Sequence, residues 1–152
     1  MDLPIRMLLV VILLAATAAT GYSALDAHLV VQEKIAANKA VESLLLKAQI
    51  VGMGASGSRE TLELVLKGHS KLALRNENFS GDIRGVAKVD LTRGGNVLKV
   101  LPLALWDFPE APSAYSDFLE REIVYHEGAY WMTMTHRSVE IDREKFDYIQ
   151  IE

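Results

Sequence analysis

The sequence predicts an α+β protein, a long N-terminal transmembrane and stalk helix followed by an antiparallel β-sandwich. Three observations carry this expectation. Met7 to Leu25 is nineteen consecutive residues without a charge, and at ~1.5 Å per residue such a helix matches the ~30 Å hydrocarbon core of a bilayer. Helical character then continues to Gly52 with no proline to break it. Beyond Ser58 the period changes from helical to alternating, the pattern of half-buried strands.

The helix is expected to begin at about Leu3 to Arg6, since Pro4 suits a first turn, where its missing N–H has no partner to lose. Within the apolar run, Ala15, Ala19 and Gly21 stand in a dense stretch of small residues that lets helix backbones approach one another in lipid. Past the run, Val30, Lys34, Ala37, Val41, Leu44, Ala48 and Val51 recur at steps of four and three. This is an apolar stripe interrupted only by Lys34, and it calls for a covering surface. Two candidates fit: the chain's own globular domain, or the same helix of a second copy. The helix–helix packing set is therefore Ala15, Ala19, Gly21, Val41, Leu44, Ala48 and Val51. The run also meets the criteria for a secretory signal, with basic Arg6 and the small-residue site Ala16-Thr17-Ala18. Uninterrupted helix beyond Ala18 favours an anchor.

Three segments follow: anchor and stalk over 1–51, a flexible Gly/Ser linker over 52–58 (GMGASGS), and an extracytoplasmic sandwich over 59–152. Thr61–Leu66 and Lys71–Arg75 read as a hairpin closed at Lys67-Gly68-His69-Ser70, and Asn76–Asp82 reads as a polar turn. Gly85–Leu91 and Val97–Leu101 flank Thr92-Arg93-Gly94-Gly95-Asn96 as a second hairpin. Leu101–Pro112 carries three of the four prolines with Trp106 and Phe108, which suits a connection crossing a sheet edge. Ser113–Arg121 predicts one or two helical turns. Glu122–Tyr125 and Ala129–Thr135 are expected to pair across His126-Glu127-Gly128, and Val139–Ile141 with Phe146–Ile151 completes about eight short strands.

Composition narrows the function. The net charge is −4 with acidic and basic residues interspersed, unlike the clustered Lys and Arg of nucleic-acid binders. The chain has no cysteine, so disulfides, thiolate metal sites and cysteine nucleophiles are excluded. His28, His69, His126 and His136 form no paired-ligand spacing, so no metal is expected. The serines stand in no GxSxG context, and GMGASGS lacks a phosphate-loop lysine. Glu120, Glu122, Asp142 and Glu144 read as a solvated face. The chain is thus expected to be no enzyme and to use no cofactor.

A short N-terminal flank, an apolar helix continuing into VVQEKIAANKAVESLL, and a small β-sandwich together resemble archaeal type IV pilin-like proteins and the accessory surface proteins of the archaellum. The resemblance covers the whole chain in layout and Arg6–Val51 in residue character. It implies a cell-surface protein that is structural or binds protein partners in or beside a pilus- or archaellum-like assembly. Prepilins of that group carry a basic residue followed by Gly or Ala before the apolar run. Here Arg6 is followed by Met7, so an uncleaved relative that keeps Asp2–Arg6 and stays anchored is expected. Arg6 and the amino terminus place that end in the cytoplasm under the positive-inside rule. Two alternatives stand beside it: a true filament subunit whose N-terminal helices bundle, and a ligand-binding receptor or enzyme with a site around Trp106, Phe108, Trp131 and His136.

Overall fold

The computed structural model describes residues 2–93 and 95–152, so Met1 and Gly94 of the expected Thr92–Asn96 turn lie outside the described residues. Helix α1 runs Asp2–Met53, and the chain separates into two compact units, Met1–Gln32 and Glu33–Glu152.

In the first unit α1 is long and apolar enough to cross a membrane. Its apolar side chains are exposed on every side, Leu8, Val11, Ile12 and Leu14 among them. Two of its hydroxyls are satisfied within the helix: Thr17 donates to the Leu13 and Leu14 carbonyls, and Thr20 to those of Ala16 and Thr17. That is how hydroxyls are tolerated in lipid, where no water is available to bond them. Ala15 and Ala19 are exposed, and a Cβ at Gly21 would meet nothing within 4 Å.

In the second unit the expected alternation becomes two four-stranded sheets. The strands are β1 Arg59–Leu66, β2 Lys71–Phe79, β3 Asp82–Asp90, β4 Asn96–Val100, β5 Ala104–Trp106, β6 Glu122–Tyr125, β7 Gly128–Ile141 and β8 Glu144–Ile151; α2, Tyr115–Leu119, precedes β6. Sheet A has the order β1-β7-β8-β5 and sheet B the order β4-β3-β2-β6. All pairs are antiparallel except β5 with β8. The architecture is a helix followed by a β-sandwich.

Strand partners differ from expectation in three places. β1 and β2 do not pair: β1 lies on β7, while β2 joins β3 and β6, so Lys67–Ser70 carries the chain from one sheet to the other. Likewise β6 and β7 occupy different sheets, and His126–Gly128 is a crossover. Conversely, β2 runs through Asn76–Phe79 into a true hairpin with β3. Ser80 and Gly81 both have positive φ, as do Asp142 and Arg143 between β7 and β8. Positive φ at both central residues is the signature of a type I′ turn, whose twist matches that of the flanking strands. Alternation marks which face a residue occupies but not which strand lies beside it.

The helix from Glu33 onward belongs to the sandwich. Ala37, Ala40, Val41, Leu44, Ala48 and Val51 are buried in one cluster with Leu62 and Leu64 of β1, Leu72 and Leu74 of β2, Met132 and Met134 of β7 and Ile149 of β8. Val41, Leu44, Ala48 and Val51 are thus covered by the chain's own sheets. They have no surface left for a second helix. The compact unit also begins at Glu33, inside the helix, instead of after the Gly/Ser stretch. A second, aromatic cluster gathers Trp106, Phe118, Ile141 and Tyr148 around α2. Asn76 fastens it to sheet B: its amide donates to the Leu105 and Phe118 carbonyls, and its oxygen accepts from Leu105 N–H.

Leu44→Ala is expected to lower unfolding free energy by about 2–5 kcal/mol, the cost of a cavity in a packed core. Leu46→Ala, on the opposite side of the helix, should stay within about 0.5 kcal/mol. Denaturant unfolding followed by circular dichroism checks the pair, and equal losses at both positions would contradict the burial described.

Candidate functional site

The most distinctive surface of the second unit is the side of α1 opposite its buried stripe. Ile35, Lys39, Glu42, Leu46, Ile50 and Met53 are all exposed and follow steps of four and three, so they form one row along the helix. Leu46 is 57% and Met53 82% accessible. Periodicity could have revealed this row, but the buried stripe was the more continuous of the two and masked it. With Lys39 and Glu42 one turn apart between apolar ends, the row offers opposite charges at its middle. A solvated helix face is normally polar. This one is amphipathic on both sides.

The helix is held by three polar ties. The Glu33 carboxylate accepts from the Thr92 amide at 2.9 Å and from its hydroxyl. Lys47 Nζ meets Glu60 Oε2 of β1 at 2.6 Å. At the C-terminal end, His136 of β7 clamps the Gly/Ser stretch. Its backbone bonds Gly57 N–H and the Ser58 carbonyl, each at 2.8 Å, and its ring Nδ1–H donates to the Gly54 carbonyl at 2.8 Å. The carbonyl can only accept, so Nδ1 carries the proton. Residues 52–58 are consequently a pinned joint and not the free linker their composition suggested.

His136 is buried, and its Nε2 has no hydrogen-bond partner among the described residues. Asp147 Oδ1 lies 3.7 Å away, receives the Ser138 hydroxyl at 2.5 Å and faces Lys145 Nζ at 3.4 Å. The Ser138 hydrogen bond holds the Asp147 carboxyl below its usual range, with help from Lys145 and His136, against the opposing effect of burial. Chemically this is no nucleophile relay. A serine nucleophile must pass its proton to histidine, whereas Ser138 donates to the carboxylate and the histidine is turned toward a backbone carbonyl.

Of the residues expected to frame a ligand site, the structure brings together only Trp106 and Phe108, with ring centroids 5.6 Å apart. Arg121 lies over both, 3.5 Å from the Phe108 centroid and 5.1 Å from that of Trp106. They border a cleft of about 300 Å³ shared with Asp117 and Glu120. Asp117 is occupied: it caps α2 by accepting from the Ser113 and Ala114 amides, which lowers its pKa. Trp106 donates its indole N–H to the Glu110 carbonyl, so the pair serves packing. Trp131 and His136 lie on opposite faces of β7. Among the described residues no group of three His, Cys, Asp or Glu could hold a metal ion; His28, His69 and His126 are scattered, and His69 pairs with Glu127 at 3.5 Å.

No family model, curated protein or solved structure matches the chain.

Because the folded pKa of Asp147 lies below its unfolded value of about 3.9, the group stabilises the fold above that value. The contribution disappears as pH falls through the folded pKa. Asp147→Asn should therefore be less stable than the parent at neutral pH, with the deficit shrinking in acid. A deficit in melting temperature that stays constant from neutral pH into the acid range would contradict the assignment.

Proposed function

We propose that this chain is a single-pass, membrane-anchored surface protein. Residues 7–25 cross the membrane, the N-terminus is cytoplasmic and the sandwich is extracytoplasmic. The domain is a structural or protein-binding component of a pilus- or archaellum-like assembly, and catalysis has no part in it. The observation that carries the reading is the helix itself: an uncharged run exposed on all sides in one unit, followed in the other by an exposed row in which Ile35, Leu46, Ile50 and Met53 flank Lys39 and Glu42. Lipid satisfies the first. The second has the spacing of a helix seam and calls for protein.

The same row favours a second reading, a filament subunit whose helices bundle. Association in either setting would add Ala15, Ala19 and Gly21 as close-approach positions within the apolar run. The readings differ in where the protein ends up. An anchored component fractionates with membranes, needs detergent for extraction and keeps Asp2–Arg6. A filament subunit appears in sheared extracellular fibres.

Protease added to intact cells should remove the sandwich, whereas protection of residues 58–152 until lysis would reverse the orientation. The absence of native cysteine makes the row directly testable. Leu46→Cys in native membranes should give an oxidative or heterobifunctional cross-link to a protein neighbour, and Lys71→Cys, exposed at the start of β2, should not. Equal behaviour at the two positions would remove the row as a contact surface.

A further inference from the structure

The face of sheet A turned away from α1 carries one feature that the anchoring and assembly roles leave unused. Trp131 is 74% exposed on this face, near the start of β7 and beyond the last residue of β8. Its register partner on β1 is Glu63, and the flanking pair Thr61 and Thr133 bring their hydroxyls within 3.2 Å of each other. Beside Thr133, whose backbone exchanges two 2.9 Å bonds with Glu152, opens a cleft of about 450 Å³ lined by Pro109, Ala111, Arg137, Tyr148, Gln150 and Glu152. Trp131 and Arg137 are six residues apart on one face of one strand, roughly 20 Å at ~3.3 Å per residue. The polar end is preset: Arg137 Nε donates to Gln150 Oε1, and Gln150 Nε2 donates to the Phe108 carbonyl, each at 3.0 Å. The terminal amino groups of Arg137 make no bond among the described residues.

We propose that this strip, from Trp131 along β7 to Arg137, binds an oligosaccharide. The argument is one of matching chemistry. A stable protein interface removes about 800 Å² from each partner around an apolar centre. An indole offers about 150–250 Å², and the other large apolar side chain exposed beside it is Val65. Beside Trp131 lie instead hydroxyls and a carboxylate, with amide and guanidinium further along β7. A pyranose ring has the complementary character, with a face of C–H groups that stacks on an aromatic ring and a rim of hydroxyls that both donate and accept. Trp131 supplies the stacking platform, Thr61, Thr133 and Glu152 take the rim of the same sugar, and Arg137 with Gln150 takes a unit further along. The proposal is independent of how the chain is anchored.

The test uses the full chain in micelles of lauryldimethylamine oxide, whose head group is not a sugar. Chitohexaose, cellohexaose and a galacturonate hexamer are titrated calorimetrically, and tryptophan emission is followed in parallel. At least one hexamer should bind saturably with a shift in emission. Trp131→Ala, a surface change that leaves the circular dichroism spectrum intact, should weaken that binding at least about tenfold, the scale of losing an aromatic anchor. Arg137→Ala should weaken it too. No saturable heat with any of the three hexamers, or affinity untouched by Trp131→Ala, overturns the proposal. Trapping of a polypeptide by a photo-reactive group at position 131, in place of sugar binding, overturns it in favour of a protein hot spot.

Discussion

Burial of one face of α1 against both sheets is the contact on which the second unit depends. Val41, Leu44, Ala48 and Val51 are almost wholly inaccessible and share a cluster with side chains from β1, β2, β7 and β8. Val41, Leu44 and Val51 each contribute about 1.5–3 kcal/mol through removal from water, and the smaller Ala48 contributes less. Without the helix, Leu62, Leu64, Leu72, Leu74, Met132 and Met134 would lose much of their cover together. The sandwich is therefore not a domain hung from a helix. The last five turns of α1 are part of its core, and the three polar ties at Glu33, Lys47 and Gly54 set where along the sheets the helix lies.

This dependence explains which features were legible in the sequence. The apolar run, the buried stripe and the inward positions of most strands follow from local periodicity, since each reports only the environment of its own residues. Pairing does not. Leu62, Leu64 and Leu66 point inward, as alternation requires, but nothing local says that their neighbour is β7 instead of β2. The Gly/Ser stretch misled for a related reason. Glycine content reports conformational freedom in an isolated chain, and here that freedom is removed by His136, eighty residues downstream by sequence. A lone histidine in an alternating strand carries no signal for that role.

The aromatic residues divide in the same way. Trp106 and Phe108 looked equivalent to Trp131 as letters, yet Trp106 is sealed by α2 and by Arg121 stacked on its edge of the cleft, while Trp131 stands in the open. Prolines around β5 gave a better cue. Pro102 and Pro109 bracket a strand of three residues, which keeps this edge of sheet A short. Its parallel pairing with β8 needs a long connection, and residues 107–143, through α2, β6 and β7, provide it.

Gly85 of β3 has a consequence for how this sequence can drift. A Cβ there would lie 2.6 Å from Leu105 Cγ and 3.2 Å from a methyl of Leu101. The backbone at the same residue also bonds the Leu103 carbonyl through its N–H and the Leu101 amide through its oxygen. Side chain and main chain thus impose separate demands at one site. An exchange to alanine forces Leu105 to move or shrink and asks the Leu101 methyl to give by a few tenths of an ångström. A smaller residue at position 105 brings no packing gain while glycine remains, so that order of change passes through a less stable intermediate. Gly85 is in effect an evolutionary ratchet, a residue more easily kept than replaced even though no chemistry is asked of it.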